Sequence, residues 1–114
     1  MHLNYSPIIM YDDHEKDYNE LFQLVDKIVD PSIKHKVKAE CIFMTHNEKM
    51  HKHNIDNNIE GEDLLWNPEM QENKISQYGS KNIRYKYGKK RIYINNFINS
   101  HKSVVPWQKI RYIF

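Results

Sequence analysis

Apolar positions follow two rhythms along this 114-residue chain. Residues 2–11 (HLNYSPIIMY) mix β-branched and aromatic side chains and run into Asp12-Asp13. That pattern predicts a strand leading directly into a helix, with either aspartate able to accept a bond from a free N–H at the helix start. From Tyr18 the apolar residues are Tyr18, Leu21, Phe22, Val25, Ile28 and Val29, at offsets of 3, 4, 7, 10 and 11, a stripe down one helical face. Asp30-Pro31 stops the helix, because the residue before proline is pushed out of the helical region. Residues 37–45 (VKAECIFMT) alternate and then become the continuous run Cys41-Ile42-Phe43-Met44, which suits a strand buried on both faces of a parallel sheet. The first 45 residues therefore spell a βαβ unit, for which a right-handed crossover is expected. A short helix follows from Asn47 to about His53.

Beyond it the rhythm weakens. Residues 54–72 are polar and acidic except for Leu64, Leu65 and Trp66, and predict a long loop pinned by that triplet. Lys74 to Tyr87 predicts a strand or hairpin, with Tyr78-Gly79-Ser80 as the turn and Ile83, Tyr85 and Tyr87 alternating. Gly88 is expected to separate it from a helix in which Ile94, Phe97, Ile98 and His101 keep helical spacing. A last strand spans Trp107 to Phe114. The fold class is α/β in a single domain, 1–114: an acidic βαβ part (1–53), a loop (54–72) and a basic hairpin–helix–strand part (73–114).

Charge sharpens that division. All 15 acidic residues lie within positions 1–72, against seven lysines, whereas positions 73–114 carry ten basic residues and no acid. A basic back of this kind suits an anionic partner. One cysteine, Cys41, excludes an intramolecular disulfide framework and any cysteine-built zinc or iron–sulfur site made by this chain alone. No apolar run approaches membrane-span length, and no secretory leader is visible at Met1–Met10, so a soluble cytoplasmic protein with no membrane partner is expected.

Three groups of residues could carry chemistry. His46, His51 and His53 with Glu48 are the densest set of possible ligands. Their spacing places them on no common helical face and no HExxH or Cys pattern accompanies them, so no metal is expected and hydrogen-bonded or solvated histidines are. His46-Asn47 also falls at the carboxyl end of a predicted strand, where ligands of α/β sheets gather. Cys41, inside an apolar run, is expected to act as a small buried hydrophobe. Finally, the segment 74–93 interleaves Lys74, Lys81, Arg84, Lys86, Lys89, Lys90 and Arg91 with Tyr78, Tyr85, Tyr87 and Tyr93. Cations suit phosphates and aromatic faces suit unstacked bases, so the pairing fits nucleic acid; a solvated charged face over core tyrosines fits it equally.

Four stretches together resemble the carboxy-terminal part of the spore photoproduct lyase-like branch of radical S-adenosylmethionine proteins. They are NYSPIIMYDD with the following Tyr18-Asn19-Glu20-Leu21-Phe22; AECIFMTHNEKMH; GEDLLWNPEMQENKISQYGSKNIRYKYGKK; and VVPWQKIRYIF. They cover nearly the whole chain in family order. The resemblance implies the C-terminal portion of a partial (β/α) barrel. The family's first half would hold a CxxxCxxC motif ligating a [4Fe–4S] cluster that cleaves S-adenosylmethionine, and in spore photoproduct lyase the radical reverses a thymine dimer in DNA. Here the chain starts where the later strands start, and Cys41 matches no cluster position. Chemistry needing three thiolates cannot run on one.

Carried over by position, Ser6 and Pro7 fall near the cofactor side, and Thr45, His46 and Asn47 at the mouth end of the next strand. Tyr78, Gly79, Lys81, Arg84, Tyr85 and Lys86 fall in the DNA-facing hairpin region. The expectation is a truncated or split segment that completes the barrel and offers a basic surface to DNA, with no cofactor and no radical chemistry of its own. Its partner would be an N-terminal half bearing the cysteines. The alternative is a free-standing small nucleic-acid-binding domain. If residues 2–11 once paired with a strand of the missing half, their bare edge invites self-association.

Overall fold

The computed structural model, which describes residues 1–75 and 81–114, begins with β1 (His2–Ile8), α1 (His14–Ile28) and β2 (Lys38–Phe43). β1 and β2 are parallel, with Leu3 opposite Ala39 and Tyr5 opposite Cys41, so the βαβ unit forms. Asp13 occupies the cap position of α1 without a side-chain cap bond. Glu15 and Asp17 in the first turn instead place negative charge at the positive end of the helix dipole.

β2 departs from the expected doubly buried strand. Ala39, Cys41 and Phe43 are buried, while Lys38 and Ile42 are exposed and Glu40 is half-buried, so one face of the strand is open. The chain also changes sheet at Met44, whose N–H donates to the Ile8 carbonyl. Phe43 and Met44 are buried in succession, which a regular strand with one face open does not allow. Residues Thr45–Asn47 then form β3 in a second sheet rather than prolonging β2.

That second sheet is antiparallel, in the order β3-β5-β4, with β4 spanning Gln71–Ile75 and β5 Lys81–Tyr85. The hairpin expected in this region is present, and its proposed turn at Tyr78-Gly79-Ser80 lies outside the described residues. The segment 54–72 is more than a loop. It carries the end of α2 (Glu48–Asp56), a short α3 (Glu62–Leu65) and a 3-10 turn at Pro68–Met70. Gly88 does not separate strand from helix, because α4 (Tyr87–Val104) already contains it.

β6 (Ile110–Ile113) pairs parallel to the far side of β2, so the first sheet runs β1-β2-β6. α1 and α4 pack together over one of its faces. Tyr5, Phe22 and Phe97 meet there edge to face, with ring centroids 5.4 Å apart for Tyr5–Phe22 and 5.3 Å for Phe22–Phe97. Within this apolar layer the Tyr5 hydroxyl donates to Gln108 Oε1 at 2.9 Å, and His101 Nε2 shares the same oxygen at 2.8 Å. Burial holds the His101 pKa below the ordinary imidazole value, and its bond to Gln108 only partly opposes that. Among the described residues, no helix is long and apolar enough to cross a membrane.

Candidate functional site

A cleft of ≈ 620 Å³ opens beside the carboxyl ends of β2 and β6, the end of a parallel sheet where ligands collect. Its walls come from β5 (Arg84, Tyr85), the first turns of α4 (Tyr87, Lys90, Arg91, Ile94) and the tail of β6 (Ile113, Phe114), with Glu72 at the rim. The backbone explains why cations gather here. β5 ends at Tyr85 and α4 starts two residues later, so Arg84 and the Lys90-Arg91 pair are brought to one mouth. α4 has no acidic residue in its first turn and no side-chain cap. Lysines and an arginine at the positive end of a helix dipole are unfavourable alone and favourable around an anion.

Other contacts shape the mouth. Arg84 Nε pairs with Glu72 Oε1 at 3.3 Å, and both side chains are well exposed, so the pair is a weak tether. The Lys90 ammonium lies 6.0 Å from the Phe43 ring centroid. Tyr87 (74% exposed) and Phe114 (61% exposed) offer open aromatic faces next to the cations.

The residues singled out by sequence distribute unevenly around this cleft. Arg84 lies in it, and Lys86 is exposed at the start of α4. Tyr85 does not fit the stacking role expected of it. Its ring is 1% exposed, its hydroxyl accepts the Met10 N–H at 2.8 Å, and burial pushes its pKa up to about 12. Tyr87 and Phe114 present the open rings instead. Lys81 begins β5, and Tyr78 and Gly79 lie outside the described residues.

Ser6 and Pro7 are exposed on β1 and line a groove against Tyr18, Leu21 and Val25 of α1. Thr45, His46 and Asn47 sit in the other sheet, opposite Arg84, Ile83 and Asn82. The first two therefore belong to one sheet and the other three to the other, the two groups meeting where the Met44 N–H donates to the Ile8 carbonyl. Thr45 alone among them shares a sheet row with Arg84 and Glu72.

His46 does enter a site, on the other face of the second sheet. Its Nε2 lies 2.7 Å from Glu62 Oε1, and His51 Nδ1 lies 2.7 Å from the same oxygen. Asn54 Nδ2 donates to Glu62 Oε2, also at 2.7 Å. Trp66 stacks on His51 with centroids 4.1 Å apart and planes 8° apart. The two nitrogens and the carboxylate oxygen all lie within 4.8 Å of one another. Burial alone would raise the Glu62 carboxyl, but hydrogen bonds from Asn54, His46 and His51 outweigh it and hold the pKa below the usual glutamate value. The expected companions do not join: Glu48 is exposed, and exposed His53 pairs with Asn57.

Sequence spacing missed Glu62 because it meets histidines from two other elements. It named Arg91 and Tyr87 within the basic, tyrosine-bearing segment without placing them in a cleft, and it missed Phe114, because the end of β5 and the tail of β6 had to be brought together first. The signal for the cleft was the interleaving of cations and tyrosines over 74–93, with the Lys89-Lys90-Arg91 run at its centre.

Cys41 is fully buried in the first sheet, and burial pushes its thiol up to about 12. A single neutral thiol inside a sheet does not fit a [4Fe–4S] cluster.

No protein-family model matches the chain, and no curated protein matches it. Solved structures do. Spore photoproduct lyase with bound AdoMet and a dinucleoside spore photoproduct matches at a TM-score of 0.81 and 17% identity, over 99% of this chain and 33% of that one. Further structures of the same enzyme, one of them complexed with the dinucleoside spore photoproduct, match at TM-scores of 0.82 and 0.80 with the same identity and coverage. At this identity the likeness is one of fold. The chain spans about a third of the length of the proteins it matches.

Proposed function

We propose that this chain is a carboxy-terminal segment of a spore photoproduct lyase-like radical S-adenosylmethionine protein, in which it completes a partial (β/α) barrel and holds nucleic acid in its basic cleft. One observation carries the reading. In a fold shared with a third of that enzyme, Arg84, Lys90 and Arg91 converge with the open rings of Tyr87 and Phe114 at the carboxyl ends of parallel strands. Cations fix phosphates, and aromatic faces receive splayed bases. A [4Fe–4S] cluster and its S-adenosylmethionine would be held by cysteines outside this chain, which supplies only Cys41. The open outer edge of β1 is the seam at which such a half, or a second copy of this chain, would pair.

Fluorescence anisotropy with a labelled single-stranded oligonucleotide tests the cleft. Binding should weaken linearly in log–log form as salt rises. Arg84→Ala and Arg91→Ala should each lower that slope by about 1. Tyr87→Ala should weaken binding by about 1–3 kcal/mol without changing the slope. No binding at low salt, or a slope indifferent to both arginines, would remove the reading.

A further inference from the structure

We propose that His46, His51 and Glu62 form a binding site for a divalent first-row transition ion, with zinc as its natural probe. The site is separate from the basic cleft. His46 and Thr45 are consecutive in β3, so their side chains leave opposite faces of the second sheet, and only Thr45 shares the row of Arg84.

The ligand set comes from three elements, β3, α2 and α3, and its three atoms surround one point. Two imidazoles and one carboxylate suit zinc and its neighbours, and three protein ligands leave a further position for water. The spacing is close to what such an ion needs. Four-coordinate ligands at about 2.0–2.1 Å from zinc stand roughly 3.3 Å apart. His46 Nε2 and His51 Nδ1 are each 2.7 Å from Glu62 Oε1, so seating an ion opens each contact by well under 1 Å.

The surroundings do what supporting shells of metal sites do. Asn54 occupies Glu62 Oε2 and leaves Oε1 to face the histidines, while Trp66 fixes the plane of the His51 ring. The Glu62 side chain is 6% exposed, that of His46 9% and that of His51 20%, so the carboxylate is dry and the His51 side remains an entrance. A buried carboxylate needs positive charge or donors beside it. Two imidazole N–H groups could serve, and a cation would serve in their place using the same atoms.

The test uses the full chain, free of any histidine tag and stripped with a chelator, titrated with zinc against a chromophoric competitor. One equivalent should bind. His46→Ala, His51→Ala and Glu62→Gln should each weaken zinc by more than about 100-fold, the upper range for an outer-shell residue, and Asn54→Ala by about 10–100-fold. His53→Ala should change nothing. Should a variant lose its fold, zinc-induced shifts of the imidazole ¹⁵N resonances in the unaltered chain locate the ion at His46 Nε2 and His51 Nδ1. Absence of stoichiometric binding, equal binding by all variants, or ¹⁵N shifts confined to other histidines would overturn the site. None of these outcomes bears on oligonucleotide affinity, so this proposal and the nucleic-acid reading fail separately.

Discussion

The two sheets of this protein are held by different forces. The parallel sheet β1-β2-β6 is held by apolar area, with Phe22 of α1 and Phe97 of α4 pressed on Tyr5 and a buried row of Ala39, Cys41 and Phe43 beneath. The antiparallel sheet β3-β5-β4 has one deeply buried aromatic, Tyr85, and the short helices beside it are tied by polar bonds that converge on Glu62. Aromatic contacts carry no charge of their own, whereas a carboxylate network responds to protons and cations. The parallel sheet is thus the apolar scaffold and the antiparallel one carries the Glu62 network, while the basic cleft draws its walls from both.

The sharpest way to break this comparison is Phe22→Ala. Emptying the centre of the aromatic layer should cost about 3–5 kcal/mol of global stability by denaturant unfolding. A loss below about 1 kcal/mol would place the core elsewhere. Glu62→Ala should cost less, about 1–3 kcal/mol, by leaving the donors of Asn54, His46 and His51 unpartnered. Its signature is local: amide exchange should quicken in α2 and α3 more than in α1.

Because the Glu62 pKa is depressed in the folded state, its contribution is present above the ordinary glutamate range and lost as pH falls through the folded value. His101 gives the scaffold a separate response to acid. Its folded pKa is lowered, so the unfolded chain takes up a proton first, and stability should fall as pH drops below the free imidazole value of about 6.5. The slope can reach about 1.4 kcal/mol per pH unit, and His101→Gln should flatten it. The smallest effect is expected at the cleft. Arg84→Ala and Arg91→Ala should leave stability within about 0.5 kcal/mol, because both side chains are exposed. A larger change would mean that these arginines help hold the second sheet.

What was legible in the sequence follows the same division. The βαβ unit and the stripe carrying Phe22 could be read because helix periodicity and strand composition are local properties. The change of sheet at Met44 could not be read, because β3 takes its partner from β5, across two helices and a strand. Tyr85 and Tyr87 looked equivalent as alternating residues of one strand. The start of α4 at Tyr87 ends the alternation, burying one ring and exposing the other. The Lys89–Arg91 run was visible as charge but not as a cleft, since the opposite wall is the tail of β6. Glu62 belonged to an acidic stretch with no periodicity, and its meaning rests on Asn54, His46 and His51 arriving from elsewhere.

The central strand of the parallel sheet, β2, is flanked by the first strand of the chain and by the last. During synthesis, β1 and β2 can pair once β2 has followed α1 out of the ribosome, and the whole antiparallel sheet can assemble while α4 is still being made. β2 must then wait with its far edge bare until Ile110–Ile113 leave the ribosome and the Phe43 N–H can donate to the Phe114 carbonyl. The nascent chain thus closes its parallel sheet only after α4 is made, and the interval before β6 docks is when a chaperone, or the edge of another strand, has its opening.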